Sequence, residues 1–218
     1  MTEEKGRVFV IGDVHGCLST LKRLLDKIPW DPASDTLIFV GDYIDRGEDP
    51  KGVVDFILSL KKKGAKIECL LGNHEAMLLD YLKGKNKDLF LFNGGTATLA
   101  SYRAGRKTKK DPLIPEDHLS FFSKLKPYIE LEDYYIVHAG FKPGKKIEEQ
   151  SLDDMIWIRY EFIDSDYDFG KKVIFGHTPF KEPLVTKTKI GIDTGAVYGN
   201  KLTCIQLPDE IFYFEKST

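Results

Sequence analysis

Cysteine is scarce in this chain, and the few residues present do not pair. Cys17, Cys69 and Cys204 are odd in number, lie far apart and form no Cys-x-x-Cys unit. That excludes a disulfide framework and a thiolate metal site. No apolar run approaches the ~18 residues that a membrane-spanning helix requires, so no membrane association is expected. Neither sign of charge prevails. Lys and Arg number 32 against 34 Asp and Glu, a net −2. A dedicated nucleic-acid-binding domain would be basic, and no nucleic-acid partner is expected. The start, Met1-Thr2-Glu3-Glu4-Lys5, is too polar for a secretory signal. Together with unpaired cysteines this points to the reducing cytoplasm. A monomer is expected, and no appended regulatory segment is apparent.

What is there suffices for a core. Of 218 residues, 42% are hydrophobic and 30% charged, which fits one α/β domain over 1–218. Arg7 to Ile11, Thr36 to Val40 and Ile67 to Leu71 are short apolar runs with strand character. Between them, Cys17 to Ile28 and Lys51 to Leu60 carry leucine, isoleucine and valine at helical spacing. This β-α-β-α-β order is the pattern of a parallel sheet covered by helices. Residues 84–130 read as a helical insert containing a basic loop, Arg103 to Pro112. Asp117 to Pro127 forms a helix with Leu119, Phe122 and Leu125 on one face. Strand character returns at Tyr134 to Val137, Lys172 to Phe175 and Ile190 to Ile192. Gly199-Asn200 and Pro208-Asp209 read as tight turns between C-terminal strands. These sequential hairpins suggest a second, more antiparallel sheet.

Histidine is also rare, but its placement is not random. Of five histidines, His15, His74, His138 and His177 each follow a strand within a glycine-containing polar turn. Gly12-Asp13, Gly41-Asp42 and Gly72-Asn73 repeat one device: an apolar strand, then Gly, then Asp or Asn. The carboxyl ends of such strands are where α/β sheets bind ligands. One Gly-Asp turn is commonplace, whereas five polar turns of this kind in one chain form a constellation. Asp13, Asp42, Asp45, Asn73 and Glu75 accompany the histidines. Imidazole, carboxylate and amide oxygen together suit divalent Mn, Fe, Zn or Ni. So many donors suggest two cations, the arrangement that serves phosphoryl transfer. Cys17 reads as packing within the first helix. His118, in a helix without a motif, reads as a surface residue.

Gly12-Asp13-Val14-His15-Gly16, Gly41-Asp42-Tyr43-Ile44-Asp45-Arg46-Gly47 and Gly72-Asn73-His74-Glu75 resemble the three signature blocks of the phosphoprotein phosphatases. These are serine/threonine phosphatases among the calcineurin-like metallophosphoesterases. His138-Ala139-Gly140 and Gly176-His177 look like the two later histidine motifs, spaced as in compact bacterial and bacteriophage members. The resemblance implies an α/β/β/α sandwich, two packed β-sheets flanked by helices. It implies one metal on Asp13, His15 and bridging Asp42, and a second on Asp42, Asn73, His138 and His177. Manganese is the first expectation. It makes His74 a general acid oriented by Asp45, and makes Arg46 and Arg159 phosphate ligands. The implied activity is hydrolysis of phosphoserine and phosphothreonine in a phosphoprotein by direct attack of a metal-bridging hydroxide. Phosphotyrosine presents the same dianion. Tyr198 is the only counterpart of the aromatic loop found in larger members.

The residues also admit two rival readings. Hydrolysis of dinucleoside polyphosphates such as diadenosine tetraphosphate uses a related metal core, and Arg103 to Lys110 could bind a polyphosphate chain. Asp45 and Glu75 favour the protein phosphatase. A non-catalytic scaffold would have lost ligands or His74, and here all are present.

Overall fold

In the computed structural model, which describes residues 6–217, strands and helices alternate from the start. Met1–Lys5, read above as too polar for a signal, lies outside the described residues. The first elements are β1 (Val8–Ile11), α1 (Leu18–Lys27), β2 (Thr36–Phe39), α2 (Pro50–Lys62) and β3 (Lys66–Cys69). Then come α3 (Asn73–Leu82), α4 (Lys87–Phe90), a π-turn over Leu91–Gly95, α5 (Thr96–Ala104) and α6 (Glu116–Ser123). The remainder is β4 (Tyr128–Glu130), β5 (Tyr134–Val137), α7 (Leu152–Trp157), α8 (Tyr160–Ile163), β6 (Lys172–Phe175), β7 (Leu184–Val185), β8 (Lys189–Gly191), β9 (Lys201–Leu207) and β10 (Ile211–Lys216). Among the described residues no helix is long and apolar enough to cross a membrane.

Two five-stranded sheets result, ordered β10-β9-β1-β2-β3 and β4-β5-β6-β8-β7. In the first, β1, β2 and β3 are parallel, and in the second β5, β6 and β8 are parallel. Strand periodicity assigns the layers. Phe9 and Ile11 of β1 pack on Leu21 and Leu24 of α1 and on Val53 and Ile57 of α2. Val10, between them, faces the second sheet and joins Ile38, Ile136, Ile174 and Ile190. The outer face of the second sheet, Val137, Val173 and Phe175, is covered by Ile156 of α7 and Phe162 of α8. The layers are therefore helix, sheet, sheet, helix, as the resemblance implied.

Five local expectations need correction. The β9–β10 hairpin turns at Pro208-Asp209 as expected, but β9 pairs antiparallel with β1 and extends the first sheet. The second sheet is built around three parallel strands, not around C-terminal hairpins. Gly199-Asn200 closes a 3-10 turn over Ala196–Tyr198 rather than joining two strands. The 84–130 insert is helical only in part: α6 ends at Ser123, and β4 pairs with β5. Leu119 of α6 is exposed, while His118, Phe121 and Phe122 are buried. His118 is thus no surface residue. Its Nδ1 lies 2.7 Å from Tyr102 Oη and its Nε2 2.9 Å from Asp55 Oδ1, tying α6 to α5 and α2. Cys17 caps α1 rather than lying inside it, and the three cysteines are buried free thiols.

Candidate metal centre

Every polar turn singled out in the sequence opens at one edge of the sandwich, where the parallel strands of both sheets end. The turns are tight because neighbours occupy the space a side chain would need. A Cβ on Gly72 would stand 2.2 Å from Asp42 Oδ1, and one on Gly41, whose φ is +116°, 2.9 Å from His138 Nδ1. Glycine at these positions lets the donor atoms approach one another. Non-glycine residues also adopt left-handed backbone here. Of seven such residues among those described, five are His15, Asp42, Asp45, Arg46 and His177. Each is held there by its surroundings. Glu75, fully buried on α3, accepts the backbone N–H of Asp42 and Tyr43, both at 2.9 Å, and that of Gly72 at 3.2 Å. It fixes the Asp42 turn and faces away from the cleft.

The donor atoms converge as a cation site requires. His138 uses Nδ1–H on the Val40 carbonyl at 2.9 Å, so its Nε2 is a bare acceptor. That nitrogen stands 3.0 Å from Asn73 Oδ1 and 3.5 Å from Asp42 Oδ1. His177 Nδ1 lies 2.9 Å from the same Asn73 oxygen, and its Nε2 is buried with no hydrogen-bond partner among the described residues. Buried acceptors that face one another repel unless a cation joins them. His15 turns Nδ1–H to the Ile44 carbonyl at 2.8 Å and presents Nε2 to Asp42 Oδ2 at 3.3 Å. Ligand atoms of Asp42, His138 and His177 form one compact group, and those of His15, Asp42 and His74 another. Asp42 belongs to both, the position of a bridge. Asp13 lies beside them, its Oδ2 accepting the His177 backbone N–H at 3.0 Å.

Without a cation these charges disfavour one another. Burial, then Asp193 and Asp42, push the Asp13 carboxyl well up. Burial, then Glu75, do the same to Asp42. Burial holds His15 well below its ordinary range and lowers His138 to about 3. The imidazoles are thus held neutral, as ligation needs, while the carboxyls would release their protons to a cation.

His74 differs from the other three histidines. Its Nδ1 lies 2.6 Å from Asp45 Oδ2, while its Nε2 faces the cleft 3.9 Å from Asp42 Oδ2. In the metal-free site burial pushes Asp45 up to about 7 and His74 well down. The cleft has a volume of about 160 Å³ and is walled by Arg46, Arg159, Asn93, Trp157, Asp193 and Tyr198. Arg46 donates to His15 Nε2 at 2.6 Å, and its guanidinium lies over the Tyr198 ring at 5.7 Å. Arg159 precedes α8 and donates to the His177 carbonyl and Thr178 Oγ1, each at 3.3 Å. Glu161 of α8 meets Lys142 at 3.5 Å and not Arg159.

The calcineurin-like phosphoesterase family matches residues 6–204, nearly the whole chain. The chain belongs to that family. A bis(5'-nucleosyl)-tetraphosphatase PrpE (asymmetrical) from Oceanobacillus iheyensis is 31% identical, covering 94% of this chain and 90% of that protein. Serine/threonine-protein phosphatase 1 from Salmonella typhimurium is 29% identical, covering 92% and 91%. The crystal structure of a candidate diadenosine tetraphosphatase superposes with a TM-score of 0.77 at 25% identity, covering 100% of this chain and 96% of that one. The metallophosphoesterase is thus a hydrolase of compact bacterial type, equipped with groups able to hold metal.

Sequence reasoning missed Asp193 and Asn93 in the cleft and the buried Thr98 beside Asp45. Asp193 follows β8 in an Asp-Thr-Gly turn, the same signal that marked Asp13 and Asp42, and it was legible. Asn93 and Thr98 come from the insert, and nothing local marks them. Thr98 donates to Asp45 Oδ1 at 2.5 Å and accepts the Asp45 backbone N–H at 2.9 Å.

Proposed function

We propose that this metallophosphoesterase is a protein phosphatase acting on phosphoserine and phosphothreonine monoesters. The Asp45–His74 pair carries the reading. A serine or threonine alkoxide is a very basic leaving group and needs a proton as the P–O bond breaks, whereas a nucleoside phosphate departs without one. A buried histidine held by a carboxylate at 2.6 Å, with its other nitrogen in the cleft, is built to supply that proton. The cleft, at about 160 Å³, is also smaller than the ~300 Å³ from which enclosed small-molecule sites begin. It suits a phosphoryl group presented from a protein surface.

Asp13, His15 and Asp42 would hold one divalent cation, and Asp42, Asn73, His138 and His177 a second; manganese is the first candidate. When bound, the pair would acidify an attacking water and neutralise phosphoryl charge. Arg46 and Arg159 offer guanidinium forks to the phosphate oxygens. With His15 Nε2 engaged by a cation, Arg46 is free to turn to substrate. Arg46→Ala is expected to lower kcat/KM by ~10²–10³-fold, the usual effect of losing a charged clamp on a transferring group. Inhibition by inorganic phosphate should weaken in parallel, with metal content intact. Arg159, more exposed, should lose less. Unchanged phosphate inhibition in both variants would remove the arginines from the substrate site.

A second reading, asymmetrical hydrolysis of dinucleoside tetraphosphates, is favoured by the relatives bearing that name. The basic loop adds little to it. Arg106 donates to the Lys109 and Asp111 carbonyls, so the loop is bonded to itself. The deciding experiment compares kcat/KM of the manganese-loaded protein on phosphoserine peptides and diadenosine tetraphosphate. A clear preference for the nucleotide would overturn the proposal.

A further inference from the structure

We propose that Thr98 is the positioning residue for the Asp45–His74 pair, and that the insert thereby sets the geometry of proton donation. The inference rests on the acid role proposed for His74. Asp45 sits in left-handed backbone at φ 71°, in a turn with no regular partner strand. The turn alone leaves its carboxylate free to rotate about Cβ–Cγ. Thr98 removes that freedom by bonding the residue at two points. Its hydroxyl donates to Oδ1 at 2.5 Å while its oxygen accepts the Asp45 N–H at 2.9 Å. With Oδ1 engaged, Oδ2 is the oxygen left for His74 Nδ1, at 2.6 Å.

Thr98 is well chosen for this. It is fully buried, and a β-branched side chain on a helix has few χ1 states. A helical threonine hydroxyl commonly bonds back to the carbonyl one turn earlier. Here it reaches across to a different element. Thr98 also lies between two other contacts on the same stretch of the insert. The Gly94 carbonyl accepts the Arg46 N–H at 3.2 Å. Ser101 Oγ donates to Asp49 Oδ1 and accepts the Lys51 N–H, each at 3.1 Å. Gly94 at the kink before α5, with Thr98 and Ser101 on α5, thus holds the segment from Asp45 to Lys51 at three points. The central contact falls on the carboxylate that orients His74.

The test uses the full-length, manganese-loaded protein. Thr98→Val removes the hydroxyl at nearly constant shape, Thr98→Ala removes it without adding a methyl group, and Thr98→Ser retains it. Turnover is measured on a phosphoserine peptide and on p-nitrophenyl phosphate, together with metal content and Tm. Val and Ala are expected to lower kcat on the peptide by ~10–10²-fold, part of the full effect of a general acid. KM should be nearly unchanged, the loss on nitrophenyl phosphate distinctly smaller, and Ser close to wild type. The Thr98→Val/His74→Asn double variant should be no slower on the peptide than His74→Asn alone, because residues acting as one unit are not additive. Equal losses on both substrates, failure of Ser to rescue, or an additive double variant would each overturn the positioning role. If His74→Asn keeps its leaving-group dependence while Thr98→Val has none, this inference alone fails. If His74→Asn itself lacks that dependence, the acid reading fails first.

Discussion

Asp42→Asn is expected to abolish metal-dependent turnover, and also to make the metal-free protein more stable. Asp42 is the one residue common to both groups of convergent ligand atoms, so its loss removes a bond to each cation. Activity should fall by at least ~10²–10³-fold, the cost of deleting one preorganised charge-stabilising group, and elemental analysis should find depleted metal. The stability effect follows from the titration of the metal-free site. The carboxyls of Asp13 and Asp42 are raised well above their ordinary range, Asp45 and Glu75 to about 7, and Asp193 to about 6, in each case chiefly by burial. A carboxyl whose folded pKa is raised binds protons more strongly in the native state, so its contribution falls as pH rises from about 4 through the folded value. His15, His74, His138 and His177 are lowered by burial from 6.5 and work the other way, adding stability as pH rises to 6.5. The two sets oppose each other below that point. Above it the histidines are neutral in both states and only the carboxyls act. The chelated wild type should therefore lose Tm between about pH 6.5 and 8, and Asp42→Asn should lose less. Manganese should stabilise the wild type and flatten its profile. Wild-type Tm in chelator that rises across this window, or normal metal content in Asp42→Asn, would contradict the account.

His74→Asn should separate substrates by leaving group. On phosphoserine peptides the loss should reach ~10²–10⁴-fold, the range for a general acid. On p-nitrophenyl phosphate and on diadenosine tetraphosphate, whose leaving groups depart as stable anions, it should be distinctly smaller. Asp45→Asn should follow the same order, since it removes the carboxylate charge 2.6 Å from His74 Nδ1. The geometry makes metal content the indispensable control, because His74 Nε2 is close enough to Asp42 to belong to a ligand group with His15. Retained metal with substrate-dependent losses identifies a proton donor. Depleted metal identifies a ligand, and equal losses with metal retained would leave His74 without either role.

The N-terminal half of the fold was legible because β1 and β2 are buried on both faces and read as apolar runs, and because β1, β2 and the edge strand β3 are all closed by glycine and a polar residue. The same punctuation exposed Asp13, Asp42, Asn73, His138 and His177, which the structure gathers at one edge. Hairpin periodicity identifies neighbouring strands but not the sheet edge that accepts them, so β9 and β10 were assigned to the wrong sheet. His118 and Thr98 were illegible for a related reason. Each is explained by a hydrogen bond to a residue far away in sequence, Asp55 at a separation of 63 and Asp45 at 53. Local pattern carries no trace of such partners.

The left-handed turns have an evolutionary consequence. His15, Asp42, Asp45, Arg46 and His177 all occupy backbone that glycine would adopt without strain, at a cost on the order of 1–3 kcal/mol for each non-glycine residue. Random drift toward glycine at these sites would relax the chain, and every such step would delete a candidate ligand, an arginine or the hydrogen-bond partner of His74. Selection for durability and selection for turnover therefore pull in opposite directions at the same five codons. A lineage freed from the need for catalysis would be expected to lose its chemistry first at these turns, while the sandwich beneath them stayed intact.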